Sequence, residues 1–188
     1  DITCNSTFTP VNIKREKQVI LEEIKEAWDT PSDRIHDEFA MVYWAGHPLG
    51  QPILGSAENV AAFTRSQIID YVRRHYRAGS IVISAAGNIN HIRLVDMVRQ
   101  KFHFNPGRAQ TAEEATRAKP APYRFIQGEA AQTHLCLGFP SVSYDSPLKT
   151  PVLALNSYLG GSMSSVIFQK IRETKGLAYS VYTFADFY

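Results

Sequence analysis

Along residues 12–28 the apolar positions recur every three or four residues, the period of a helix with one packed side. The stretch has no internal Gly or Pro and follows Pro10, which predicts a helix from Asn12 to Trp28. At roughly 100° per residue, Ile13, Ile20, Ile24 and Ala27 share one stripe, while Lys14, Gln18 and Lys25 point away. Glu16 and Glu23, seven residues apart, fall on the edge of that stripe, beside Ile20 and Ala27. Glu22 and Glu26 lie further round, toward solvent. A carboxylate on a packing face is costly unless it is paired, protonated or bound to a cation. Two readings stay open: acids at the rim that reach water or an arginine, or one metal ligand with the other acid in support. No His-x-x-x-His pair accompanies them, so this stretch alone names no metal.

Further on, Ile35, Phe39, Val42 and Tyr43 predict a second helix over Asp33–Trp44, with Ser32 or Asp33 as its N-cap. The Pro- and Gly-rich stretch His47–Gly55 is a loop. Thr64-Arg65-Ser66-Gln67 has the form of a capping box and opens a third helix, and Asn90–Phe102 forms another. Ser80–Ala86, Tyr123–Gln127, Thr133–Phe139 and Ala178–Tyr188 read as strands, the third alternating around Leu135 and Leu137. Ser146-Pro147 starts a helix running to about Leu159. Ser164 or Ser165 caps one more through Lys175, with Gly176 as its terminator. Residues 105–122, polar with Pro near both ends, read as a linker between residues 1–104 and 123–188. The expected architecture is therefore α+β in both halves. The start at Asp1, inside a loop-like stretch, and the final strand suggest a processed product or a piece of a longer chain.

Composition narrows the class without naming it. The chain has 188 residues, 44% hydrophobic and 20% charged, which is globular. Its net charge of +2 gives no electrostatic footprint for nucleic acid or an anionic membrane. No apolar run of about 18 residues or signal-peptide core occurs, so a soluble protein is expected. Cys4 and Cys136 fit one disulfide or two free thiols equally well. His134 and Cys136 share one face of a predicted strand, which packing explains better than a thiol–imidazole pair.

Three stretches together resemble one family. Glu16-Lys-Gln-Val-Ile-Leu-Glu-Glu23, His47-Pro-Leu-Gly-Gln-Pro-Ile-Leu-Gly55 and the long run from Leu159 to Tyr182 are similar to motifs of the insulinase/pitrilysin-type zinc peptidases, the inverzincins, which include processing peptidases and their bacterial relatives. The resemblance implies two similar α/β-sandwich domains, each a mixed, largely antiparallel sheet with helices on one face. It implies a metalloendopeptidase in which Zn²⁺ activates water and a Glu takes up the proton. In the family, zinc is held by a His-x-x-Glu-His motif and a distant Glu. By that match Glu23 is the third zinc ligand and Glu16 its support. Arg172 and Tyr179 match a pair that the family brings to the substrate, where a guanidinium and a phenol hold the peptide and stabilise an oxyanion. Val166 departs from the basic residue common in relatives.

One departure weighs more. No His-x-x-Glu-His occurs, and the resemblance puts it upstream of Asp1. The chain is thus expected to be the central fragment of a zinc endopeptidase, inactive alone and without its zinc, because two ligands and the general base are missing. The alternative is a non-catalytic peptide-binding or partner subunit of the same family. Expected partners are peptides or unfolded polypeptide, with a second copy or a related subunit, in bacterial cytoplasm or periplasm. Substrate preference is not written in the residues.

Overall fold

The computed structural model describes residues 3–107, 123–128 and 130–188. The chain divides into two units, Asp1–Cys136 and Leu137–Tyr188. The linker expected at residues 105–122 falls, beyond residue 107, outside the described residues.

In the first unit, Thr9 caps helix α1 (Pro10–Asp29) by accepting the Asn12 N–H, and Pro10 sits where no helical donor is needed. Of the apolar stripe Ile24 is buried, and Ile13, Ile20, Leu21 and Ala27 are half-buried. That side of α1 packs against α2 (Pro31–Tyr43) and the short α3 (Ala57–Ala62). Lys17 fastens the second contact, its Nζ donating to the Ala61 carbonyl at 2.8 Å. The expected cap residues Ser32 and Asp33 lie inside α2, because Pro31 starts the helix two residues earlier than the pattern suggested. Thr30 precedes it but turns its hydroxyl back to the Glu26 carbonyl instead. The Thr64–Gln67 capping box forms at the start of α4 (Arg65–His75), both halves made. Asn90 caps α5 (His91–Lys101) through the Arg93 N–H.

The expected sandwich with a mixed, largely antiparallel sheet is not what forms. Among the described residues there is no strand and no sheet, only an isolated parallel bridge between Arg77 and Asn105. The reason lies in how the two kinds of element satisfy their backbones. A helix closes its hydrogen bonds within one segment, whereas a strand needs a second segment alongside. Residues 81–86, 123–127, 133–139 and 178–188 have strand-like composition but no ladder partner among the described residues. Leu135 and Leu137 accordingly face solvent, and Cys136 between them is half-buried.

In the second unit, α6 (Lys149–Gly160) turns Val152, Asn156 and Leu159 inward. The tail crosses its C-terminal end: Thr183 N–H donates to the Gly160 carbonyl, and Thr183 Oγ1 to that of Asn156. A Cβ on Gly160 would stand 2.6 Å from the Thr183 nitrogen, so only glycine permits this crossing. Along the tail Val181, Thr183, Ala185 and Phe187 are half-buried while the residues between them are exposed, a period of two. The helix expected through Lys175 is a π-helical turn over Phe168–Thr174. It stops at Gly176 (φ 59°), whose N–H donates to the Arg172 carbonyl.

Candidate active-site elements

Glu16 and Glu23 lie on the exposed side of α1, about 10 Å apart along its axis. Neither makes an ion pair or hydrogen bond among the described residues. The desolvation cost attached to an acid on a packing face therefore does not arise for either. Each carboxylate is open to a cation brought from outside the helix.

Among the described residues of this unit the buried acid is Glu38 on α2, 3% exposed. Two guanidiniums make that burial tolerable. Arg34, one turn earlier, lies 3.4 Å from Oε1, and Arg124 Nη1 lies 3.0 Å from Oε2, an ionic contact without hydrogen-bond alignment. Arg34 is itself placed over the Trp28 ring, 4.6 Å from its centroid. The local signal was the Arg34-x-x-x-Glu38 spacing, a pair one helical turn apart, but the second partner comes from far along the chain.

In the second unit, the reversal at Gly176 brings Tyr179 back against the π turn. Arg172 Cζ lies over the Tyr179 ring at 5.0 Å and over the Phe168 ring at 4.8 Å. The Arg172 side chain is 37% exposed and that of Tyr179 78% exposed, so the pair opens to solvent. Arg172 Nε also stands 3.7 Å from Glu173, too far for a hydrogen bond. A cation and a phenol displayed together on an open surface can grip a carbonyl or carboxylate. Phe168 was not singled out by its pattern.

Zinc requires about three protein ligands at a catalytic site. No group of three His, Cys, Asp or Glu able to hold a metal occurs among the described residues. One free carboxylate does not fit zinc by itself, so these residues make no zinc site on their own. His134 and Cys136 share no hydrogen bond among the described residues, both cysteines are free, and burial pushes the Cys136 thiol up, away from reactivity. No helix among the described residues is long and apolar enough to cross a membrane.

Two family models match successive parts of the chain. Residues 62–188 match the family described as "Peptidase M16 inactive domain", and residues 1–57 match "Insulinase (Peptidase family M16)". The chain belongs to the M16 peptidase family. Within M16, it is 37% identical to an "uncharacterized zinc protease" of Bacillus subtilis and 36% identical to one of Rickettsia felis, covering all of this chain and 46% of each relative. The chain thus spans about half the length of these curated relatives. The M16 inactive domain from Pseudomonas fluorescens has the same fold, with a TM-score of 0.78 at 22% identity over 99% of this chain and 46% of that one. A protease from Helicobacter pylori superposes with a TM-score of 0.71 at 15% identity, covering 95% of this chain and 45% of that one. This M16 chain contains no His-x-x-Glu-His.

Proposed function

We propose that this chain is the central part of a zinc-dependent endopeptidase, supplying one metal-binding carboxylate, Glu23, and a substrate-holding pair, Arg172 and Tyr179. The observation that carries the reading is the Arg172–Tyr179 pair, a solvent-facing guanidinium set over a phenol ring. Because the pair is accessible to solvent, its donors can be reached by a substrate. Zinc-protease relatives aligned along the whole chain support the metal, as does the unpartnered state of Glu23. Glu16, exposed on the same side of α1, is assigned a supporting role in the assembled metal site.

The protein hydrolyses extended peptides, and the donors of Arg172 and Tyr179 hold the carbonyl under attack. The 188 residues alone have no peptidase activity, since the chain contains no His-x-x-Glu-His and the described residues hold no group of three metal-binding side chains. A second reading, a non-catalytic subunit that binds peptide or supports an active partner, draws on the "inactive domain" description of residues 62–188. Zinc analysis separates the two. In the full-length protein, Glu23→Gln lowers both bound zinc and peptide cleavage on the first reading. Unchanged zinc stoichiometry in that variant refutes the ligand assignment, and a full-length protein that binds peptide without zinc establishes the second reading.

A further inference from the structure

We propose that Phe168 is a positioning residue for this site, acting through Arg172; the inference rests on the substrate-holding reading of Arg172 and Tyr179. Phe168 is 9% exposed, while Arg172 four residues later is half-buried. Side chains on a helix lean toward its N-terminus, so Arg172 leans back over Phe168, and its Cζ lies 4.8 Å from the ring centroid.

The π turn is what keeps this arrangement in place. Its loops hold one residue more than those of an α-helix, and such turns cost regularity unless local contacts hold them. Two side chains fasten this one: Thr174 Oγ1 donates to the Gln169 carbonyl at 2.9 Å, and Gln169 Nε2 to that of Met163 at 2.8 Å. Phe168 is thereby anchored in the unit, and Tyr179 is carried round to Arg172 by the turn at Gly176. The guanidinium lies over a buried ring and an exposed one.

Ring contacts with a guanidinium do not consume its N–H donors as a hydrogen-bond acceptor would. An arginine side chain otherwise samples many rotamers, and each donor would be correctly aimed only part of the time. Phe168 restricts that sampling without competing for the donors. Its contribution belongs to the aim of Arg172, so it is felt when charge develops on the substrate oxygen and not in peptide binding as such.

The test is a double-mutant cycle on peptide cleavage by the full-length protein. Phe168→Met keeps the bulk of the side chain and removes the ring, whereas Phe168→Tyr keeps the ring. Expected is a fall in kcat of about 3- to 30-fold for Phe168→Met, the range of a cation–π contact converted to a rate, with little change in KM. Phe168→Tyr restores the rate, and Phe168→Met adds nothing in an Arg172→Ala background. If Arg172→Ala impairs cleavage but Phe168→Met does not, or the losses multiply, the positioning role is overturned while the substrate-holding reading stands. If Arg172→Ala and Tyr179→Phe both cleave like wild type, both readings fall. A readout independent of activity is the Arg172 Nε–H proton resonance, expected upfield of an ordinary arginine because of ring current. An unshifted resonance overturns the proposal.

Discussion

Glu23 on α1 and Glu38 on α2 are the same residue on neighbouring helices of one unit, and they live in opposite environments. Glu38 is buried between Arg34 and Arg124, so its charge is compensated and its oxygens are engaged. Glu23 is exposed and has no partner among the described residues. A buried carboxylate with two guanidiniums is a structural commitment, because releasing it would strand charges in a medium that cannot solvate them. An exposed carboxylate with none contributes little to folding, and it is free to serve a ligand. The contrast separates an acid that holds the unit together from one that the unit displays.

Swapping the two carboxylates for amides is the sharpest way to break that contrast. Glu23→Gln in the full-length protein is expected to lower peptide cleavage by at least about 10- to 100-fold. It should leave stability within about 0.5 kcal/mol, as exposed substitutions do. Glu38→Gln should behave conversely, costing about 1–3 kcal/mol of stability through weakened charge-assisted contacts. Its activity should fall only as the folded fraction does. Denaturant titration beside zinc content and turnover decides the matter. A Glu23 variant that unfolds easily and retains its zinc would erase the distinction.

What was legible in the sequence was local. The capping box at Thr64–Gln67 and the stop at Gly176 each involve residues within a few positions of one another, and each forms. The stripe through Ile20 and Ile24 was legible for the same reason, since helical geometry fixes which residues share a side. The edge position of Glu16 and Glu23 left their exposure open, because a wheel cannot say how far packing extends around a helix. The sheet failed because a strand is a property of two segments, and alternation at Leu135 and Leu137 reports only one of them. The burial of Glu38 was hidden likewise: Arg124, its closest charge partner, is remote in sequence. At the second unit the proximity of Arg172 and Tyr179 depends on the short reversal at Gly176, whereas the π turn beneath them is fastened by side-chain bonds from Thr174 to the Gln169 carbonyl and from Gln169 to the Met163 carbonyl.

A smaller effect sharpens the account of Glu38 by apportioning its two partners. Arg124→Ala leaves the carboxylate buried with Arg34 alone. The expected loss is about 1–2 kcal/mol, less than the roughly 3–5 kcal/mol of breaking a fully buried pair, since Arg34 remains and Arg124 is half exposed. Arg34→Ala should cost a similar amount, because it also removes the contact with Trp28. Thermal melts of the two variants and the double variant measure the coupling. If either single variant melts with wild type, the burial of Glu38 does not depend on that partner.

The smallest effect concerns the half-buried thiol of Cys136 in the same unit. Desolvation raises the Cys136 thiol above its ordinary range, because the thiolate loses hydration that the neutral thiol hardly needs. The folded chain then holds this proton more tightly than the unfolded chain does. The resulting stabilisation is fully present below the unfolded thiol range of about 8.5 and is lost as pH rises through the higher folded value. Comparing wild type with Cys136→Ala by denaturant titration at neutral and at alkaline pH isolates it: the difference between them should shift against wild type as pH rises. Alkylation should agree, with Cys136 modified slowly near neutral pH and faster on unfolding. A Cys136 that reacts at an unfolded rate in the native protein would mean that its burial does not protect it.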